Sequence, residues 1–390
     1  MSDPKTPEAP AASVPETPAP TAPGGSAVPA QTEPRPEPAA APAPSGEPDS
    51  TPLAPPASAS SSHSYSDTSP LGLLLLDIGA PANVDDVPAF LRRLYRDPYV
   101  LQHSFSGLFL DLVAMGLAFS RQSGVKTALK AIGGTAPDEV ELEKLASALA
   151  LGLAERLEAP VRPFVAFRHS GPALPQILEK VRGAGCRRVV GMFARTFSSP
   201  GGSRSMRVEL SLCGNDFPDL DLSMIDGFES EAGVRQAFAV EALAALEGVP
   251  LGERPEAHLM FLLQGQPVKG GTDPALPRAQ AFAAAVHEAM GVRNPFSLAY
   301  QNGVDPRATL MPEAAEEIER LASEKRRALV LIPLSHACEG LATRWELDVA
   351  LVEIARAAGF AHVRRARAPA GSAQLRSALV ALLQRHLAEM

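Results

Sequence analysis

Residues 261–268 read FLLQGQPV, an apolar segment that ends in Gln264-Gly265-Gln266-Pro267. A continuous apolar run of this kind is typical of a strand buried on both faces, and in α/β proteins ligands lie beyond the carboxyl ends of such strands. The amide of Gln264 can hydrogen-bond a ligand there, but it does not accept a proton at any working pH. The segment therefore marks Gln264 as a candidate site residue at the end of a predicted strand.

A second segment combines an imidazole with two carboxylates. The sequence LSHACEGLATRWELDVA carries His336 and Glu339 at the end of a predicted strand and continues as a helix. Glu339 and Glu346 are seven residues apart, which places them on one helical face with Ala342 between them. Such a pair is usually solvated, but beside a cleft it can form a path for a metal ion or a proton. His336 either supplies an imidazole to that path or is a histidine with satisfied hydrogen bonds, which is the more common case.

Two further strand ends carry polar side chains. Arg168 and His169 leave a strand together in FRHSGP, either as a solvated pair or, for the arginine, as a site for a ligand carboxylate. Ser198 and Ser203 lie in SSPGGS before a helix, where backbone N–H groups can bind an anion. All these candidates depend on strands that end at one edge of a sheet.

The elements that would position these residues alternate along the chain. Apolar runs predict strands at 71–78, 164–167, 188–193, 258–263, 296–300, 328–334 and 362–365. Helical patterns separate them at 84–95, 141–157, 174–184, 235–246, 277–290, 312–324, 341–358 and 372–387. Strands joined by helical crossovers indicate parallel sheets with helices on both faces. Because the pattern restarts, we expect two similar α/β halves, 71–225 and 226–390, that face a cleft.

Composition separates a tail from this body. Residues 1–70 hold 18 of the 38 prolines and eight acidic against two basic residues, so they carry -6 of the net charge of -8. Such a segment buries too little apolar surface to order itself, which predicts a disordered acidic tail at 1–70. The remaining charge of -2 argues against nucleic acid as a partner. The tail has neither a signal-peptide nor a transit-peptide pattern, which predicts a cytoplasmic protein.

Two features limit the cofactors and the membrane association. The three cysteines, Cys186, Cys213 and Cys338, are too few for a four-cysteine iron–sulfur cluster within one chain, so no such cluster is expected. The longest apolar stretch, 107–119, is shorter than the ~18 residues that a membrane-spanning helix needs. We interpret it as a buried helix and expect no transmembrane segment.

The order of these motifs resembles the ferrochelatase family over residues 71 to about 388. LLLLDIGAPANVDDVPAFLRRLYRDPYV is similar to the family's opening strand, its Gly-x-Pro turn and its Asp-Pro; IGGTAP is similar to IGGGSP. FRHSGP stands where the family has an Arg-Tyr pair, and SSPGGS resembles Ser-x-x-Thr-Gly-Ser. LAYQNGVDP is similar to YQS-x-x-GP, and Trp345-Glu346-Leu347-Asp348 matches YELD. Each motif alone is weak, whereas six in the right order are a strong signal.

The resemblance implies two similar Rossmann-like domains, each with a parallel four-stranded sheet, that face a porphyrin cleft. It also implies ferrous iron and porphyrin as substrates and no cofactor. Gln264 occupies the position of the histidine that the family uses for metal and proton handling, and Ala342 occupies the position of its catalytic glutamate. Glu339 and Glu346 are then the retained acidic path, and Arg168 lies near the propionates.

Two functions follow from the resemblance. The first is insertion of ferrous iron into a porphyrin. The second is a non-catalytic porphyrin- or haem-binding homologue, or regulator, that pairs with a true ferrochelatase or another haem-pathway protein. A third reading, a chelatase for another metal or tetrapyrrole, stays open because a fold does not fix its substrate.

The tail yields a first prediction. Because residues 1–70 lack a core-forming pattern, a chain that starts at Leu71 should fold with nearly unchanged thermal stability. A thermal melt of both proteins checks this, and a shortened chain that aggregates or melts many degrees lower would show that the tail packs on the body.

Overall fold

The computed structural model of the chain describes residues 69–101, 107–265, 273–301 and 310–390. Residues 1–68 of the predicted tail, Gln266 and Pro267 of the opening segment, and residues 302–306 of LAYQNGVDP lie outside this part of the chain. Within it, the polypeptide forms two parallel sheets of four strands each, with helices on their faces. The predicted α/β class with two four-stranded parallel sheets is confirmed.

The two sheets repeat one topology. The first has the strand order β2-β1-β3-β4 and the second has the order β6-β5-β7-β8. The strands are β1 (Leu71–Asp77), β2 (Val161–Phe167), β3 (Arg188–Phe193), β4 (Asp221–Ile225), β5 (His258–Gln264), β6 (Phe296–Gln301), β7 (Ala328–Pro333) and β8 (His362–Arg365). The central strands β1 and β5, LGLLLLD and HLMFLLQ, are largely apolar and buried because helices cover both of their faces.

Helices lie between the strands, as the crossover pattern predicts. They are α1 (Val87–Arg96), α2 (Pro98–Leu101), α3 (Gly107–Ala131), α4 (Asp138–Leu157), α5 (Leu174–Gly183), α6 (Ser205–Gly214), α7 (Ala232–Glu247), α8 (Leu276–Met290), α9 (Ala314–Ser323), α10 (Leu351–Ala357) and α11 (Ala373–Glu389). Two π-helical segments, Pro200–Arg204 and Thr343–Ala350, lead into α6 and α10.

One hydrophobic core joins the two halves. Its buried side chains come from β1, β3, β5 and β7 and from helices on both sides of residue 225. Helix α11 packs against α4 of the first half and α7 of the second. Two glycines permit the close approach: a Cβ on Gly233 would lie 2.8 Å from the Ala378 Cβ, and one on Gly152 would lie 3.2 Å from Val380 Cγ2. The division at 225/226 remains a proposal, since the halves share this core.

The stretch 107–119 is helical, but the expectation that it is buried is wrong. It forms the first half of α3, a 25-residue helix that packs on α1. The buried side chains of this stretch are Ala114 and Ala118, with Leu117 partly buried against the same core, while Leu108 and Phe119 are 83% and 76% exposed. The apolar content of residues 107–119 alone does not distinguish a buried helix from one that packs with one face and exposes the other. No helix in the described ranges is long and apolar enough to cross a bilayer.

Candidate functional site

A cleft of about 520 Å³ lies at the carboxyl ends of both sheets. Both halves contribute to its lining, with Gly79, Tyr95, Asp138 and Arg195 from the first, and Gln264, Gln301, Ala342, Trp345 and Glu346 from the second. The volume is within the range of roughly 300–1,000 Å³ that is usual for small-molecule sites. Among these lining residues are three that the sequence predicted as site residues, Gln264, Ala342 and Glu346.

Arg195 connects the strand ends at this cleft. It follows β3, and its Nε donates to both carboxylate oxygens of Asp77, at 3.0 and 3.1 Å. Its Nη1 donates to Gln264 Oε1 at 2.9 Å and to His336 Nδ1 at 2.7 Å. The backbones of Arg195 and His336 also form an antiparallel bridge between the halves. A fixed guanidinium, neutralised by Asp77, thus adjoins the Gln264 amide.

The bond from Arg195 defines the state of His336. A guanidinium only donates hydrogen bonds, so Nδ1 of His336 is the acceptor and the ring proton lies on Nε2. The ring is buried, and burial, together with the charge of Arg195, holds the pKa of His336 well below its usual value of 6.5. His336 is therefore neutral, with its lone pair engaged. This geometry supports the structural alternative for His336 and not a displaced base.

Gln264 ends β5 beside Gln301 of β6, its partner in the register. Its backbone N–H donates to Ser335 Oγ at 3.0 Å, and its side-chain oxygen accepts from Arg195. The amide is thus oriented by the protein.

Glu346 is one of the carboxyl groups that border the cleft, and its pKa is shifted toward neutral pH. It lies in the π-helical segment, and its Oε2 accepts from Gln301 Nε2 at 2.8 Å. The side chain borders the cleft, but most of it is surrounded by protein. This burial disfavours the ionised form and raises the pKa of Glu346 to about 7. Near neutral pH this carboxyl group can take up or release a proton.

Glu339 lies apart from Glu346, and the expected pairing of the two on one helical face is wrong. Glu339 precedes the helix, and its Oε1 accepts from Arg365 Nη1 at 2.5 Å and from the Ala368 N–H at 2.9 Å. Its Oε2 accepts from Thr343 Oγ1 at 2.6 Å. Burial opposes ionisation, but these hydrogen bonds outweigh it and hold the pKa of Glu339 below its usual value. It anchors the start of the helix to the end of β8.

Arg168 and His169 lie outside the lining of the cleft. Arg168 Nε donates to Ser205 Oγ at 2.9 Å and is 3.4 Å from Asp97 Oδ2. The ring of His169 is fully buried, with Nε2 at 3.4 Å from the same oxygen, and burial lowers its pKa to about 3. Both residues serve a buried polar cluster around Asp97, so the geometry places neither where a ligand in the cleft would contact it.

The two serines have different surroundings. Ser203 is buried, and its hydroxyl accepts from the Ser199 N–H at 2.9 Å within the π-helical turn that precedes α6. Ser198 borders a smaller cavity that adjoins the cleft near Arg195, and its hydroxyl accepts from Arg278 Nη2 at 3.0 Å. Of the four candidates Arg168, His169, Ser198 and Ser203, only Ser198 borders this smaller cavity, and none borders the cleft itself.

Sequence reasoning missed Arg195 and Asp138, although both lie in the cleft. Arg195 comes two residues after β3, just before the hydroxyl-rich segment SSPGGS that supplied the candidates at this strand end. Asp138 is the first residue of α4, a helix that the apolar pattern starts only at Glu141. Among the described ranges, no three His, Cys, Asp or Glu side chains converge closely enough to hold a metal ion.

Comparison with known proteins gives consistent results. The family model described as Ferrochelatase matches residues 70–387. A ferrochelatase from Synechococcus elongatus is 30% identical over 296 residues, which cover 74% of this chain and 75% of that protein. One from Synechocystis sp. is 30% identical over 302 residues, covering 76% and 77%. The mitochondrial ferrochelatase of Bos taurus is 26% identical over 324 residues, covering 81% and 77%.

Solved structures of chelatase type are also similar. SirB from Bacillus subtilis with Fe3+ aligns with a TM-score of 0.47 and 10% identity, over 81% of this chain and 94% of that one. A multi-domain protein from Deinococcus radiodurans with structural similarity to chelatases gives 0.41 and 13%, over 80% and 54%. The match of the family model across the whole described body, with the relatives above, shows that the chain belongs to the ferrochelatase family.

Proposed function

We propose that this protein of haem biosynthesis inserts ferrous iron into a porphyrin bound in the cleft. The observation that carries the proposal is the Glu346 carboxyl group, which borders a cavity of about 520 Å³ and has its pKa raised to about 7. A carboxyl group with that pKa is ionised often enough at neutral pH to accept a proton and returns it readily to water. Ferrous iron and porphyrin are the substrates, and the proposal includes no resident cofactor.

The reaction requires proton acceptors. A free-base porphyrin carries two N–H groups, and both N–H bonds break as the four nitrogens bind the metal. The electron pairs stay on the nitrogens, two protons leave, and iron stays ferrous. Glu346 accepts one of these protons, while the oriented amide of Gln264 hydrogen-bonds the bound molecule. The ion pair of Arg195 with Asp77 keeps that amide in place.

The second candidate is a non-catalytic porphyrin- or haem-binding homologue. One observation favours it: the Gln264 amide, which by the resemblance stands where the family has its histidine, is bonded to a guanidinium. By the same resemblance Ala342, which has no ionisable group, stands where the family has its catalytic glutamate. In that case the partner would be a true ferrochelatase or another haem-pathway protein, with residues 1–70 as the tether. Both candidates are proposed to act in the cytoplasm.

A stopped metallation assay run beside a porphyrin titration separates the two candidates. With a dicarboxylic porphyrin and ferrous iron under anaerobic conditions, we expect saturable binding and a metallation rate that falls as the pH drops below about 7, because protonated Glu346 does not accept a proton. Saturable binding without turnover would favour the second candidate. A protein that does neither would contradict both.

A further inference from the structure

Ala342 carries no carboxylate, but the carboxyl group of Asp138, from the other half of the molecule, lies beside the neighbouring backbone. Asp138 is the first residue of α4, and its Oδ2 accepts from the N–H of Leu341 at 2.8 Å. A Cβ placed on Gly340 would lie 2.7 Å from Asp138 Oδ1. The carboxylate thus lies directly against the backbone that carries Ala342.

Asp138 and Ala342 also share their open space. Both border the cleft, and both border a smaller polar cavity behind it. The carboxylate of Asp138 therefore reaches the region that a glutamate at position 342 would occupy, although it comes from a helix that precedes Ala342 by about 200 residues.

On these grounds we propose that Asp138 accepts the second pyrrole proton during metallation, in place of the carboxylate that position 342 lacks. This inference rests on the proposed function. Of the two N–H protons, one passes to Asp138 and the other to Glu346; both electron pairs remain on the nitrogens that bind iron, and no oxidation state changes. Both carboxyl groups then release their protons to water.

The electrostatic surroundings are compatible with this role. The charged groups around Asp138 are Asp77 and Arg195, and Glu339 lies at the far side of the smaller cavity. The other two titratable groups of that cavity, His336 and Cys338, are uncharged. Burial is the largest influence and raises the pKa of Asp138 to about 6; the Leu341 N–H opposes this, Asp77 adds to it, and Arg195 opposes it. Asp138 is thus ionised at neutral pH and protonates within the range that proton transfer needs.

A purely structural role for Asp138, as a cap on the start of the second-half helix, is the alternative. The substitution Asp138→Asn separates the two, because its side-chain oxygen can still accept from Leu341 but does not take up a proton. We expect the metallation rate to fall by about 10²-fold or more, with the porphyrin affinity and the melting temperature little changed. Glu143→Gln, an exposed change on the same helix, is the matched control and should leave the rate unchanged.

Adding Ala342→Glu to Asp138→Asn should recover much of the lost rate, since the new carboxylate enters the same space from the other half. If Asp138→Asn metallates within about twofold of the unmodified protein, Asp138 is a cap only and the inference fails. If the Asp138→Asn protein shows no thermal transition, the metallation rate is measured in Asp138→Ser instead, because its hydroxyl can still accept from the Leu341 N–H.

A second readout needs no turnover. Protonation of the ring nitrogens changes the visible spectrum of a bound dicarboxylic porphyrin, and a nearby carboxylate favours the protonated form. We expect the apparent pKa of the bound porphyrin to be lower by about one unit in Asp138→Asn than in the unmodified protein and in Glu143→Gln. An unchanged value overturns the inference about Asp138. A lowered value in a protein that never metallates would place the Asp138 carboxylate beside the ring nitrogens, but it would overturn the proposed function and the proton transfer that rests on it.

Discussion

Changing Gln264 to histidine and Ala342 to glutamate together should raise the metallation rate well above that of the unmodified protein. The double change places a base at the end of β5 and a carboxylate on the cleft side of the facing helix, and both positions border the cleft. Positioned acid–base groups each raise a reaction rate by about 10²–10⁴-fold, so even part of this gain in the metallation rate is measurable. Either single change should recover much less, because groups that act as one unit do not contribute independently.

The hydrogen bonds of Arg195 make a control variant necessary in this experiment. A histidine at position 264 would meet the same Nη1 that now bonds Gln264 and His336, so its lone pair competes with a fixed donor. Adding Arg195→Gln tests whether that donor limits the gain. Initial rates for the single, double and triple variants answer the question. If the unmodified protein already metallates, and His336→Ala slows it sharply, the site works through His336 and this account of Gln264 and Ala342 is wrong.

Replacing Glu346 with glutamine should lower activity and raise stability at alkaline pH. The unfolded chain loses the Glu346 proton near the ordinary pKa of 4.5, whereas the folded protein holds it up to about pH 7. Between these pH values the folded state binds more protons, so the free energy of unfolding falls as the pH rises. Glutamine has no such proton, and its side-chain oxygen can still accept from Gln301. At pH 8 the variant should be more stable by about 1–3 kcal/mol, after allowance for partial exposure to the cleft.

Urea unfolding at pH 4 and pH 8 measures this difference. The two proteins should be nearly equally stable at pH 4, where Glu346 is protonated in the folded state and about three-quarters protonated in the unfolded state. Asp138 titrates in both proteins and cancels in the comparison. Glu353→Gln, an exposed change in the following helix, should have no effect at either pH. A Glu346→Gln protein that is less stable at pH 8, or that metallates at the normal rate, would contradict the role assigned to Glu346.

The buried strands were predictable because helices cover both of their faces. LGLLLLD and HLMFLLQ read as strands for that reason, and the restart of the pattern indicated the second sheet. The edge strand β4 gave no such signal, since DLSMI is short and three of its five residues are partly or fully exposed. Helix α3 was mispredicted for the opposite reason: most of the large apolar side chains in its first half are exposed, and the helix packs through a few buried residues such as Ala114, Ala118 and Leu129.

The site was predictable where a residue lies at a strand end or near the start of the helix that follows a strand, as Gln264, Ala342 and Glu346 do. Gln264 ends β5 and lies in the cleft, as expected. Glu339 matched a helical spacing, but its pairing with Arg365 of β8 depends on a residue 26 positions later. The contacts of Arg195 with Gln264 and of Asp138 with Leu341 join residues 69 and 203 positions apart. Periodicity within a segment contains no information about pairs at such separations.

The position of α11 has a consequence for how the chain folds. This helix covers α4, which precedes it by more than 200 residues, and Arg156 of α4 lies within hydrogen-bonding distance of Gln384. The first sheet therefore remains incomplete on that side until a distant segment arrives, and closing so long a loop delays folding. During that interval the apolar side of α4 is open to other unfinished chains. Aggregation during refolding should thus depend on protein concentration, and chaperones that bind exposed apolar helices would act at this step.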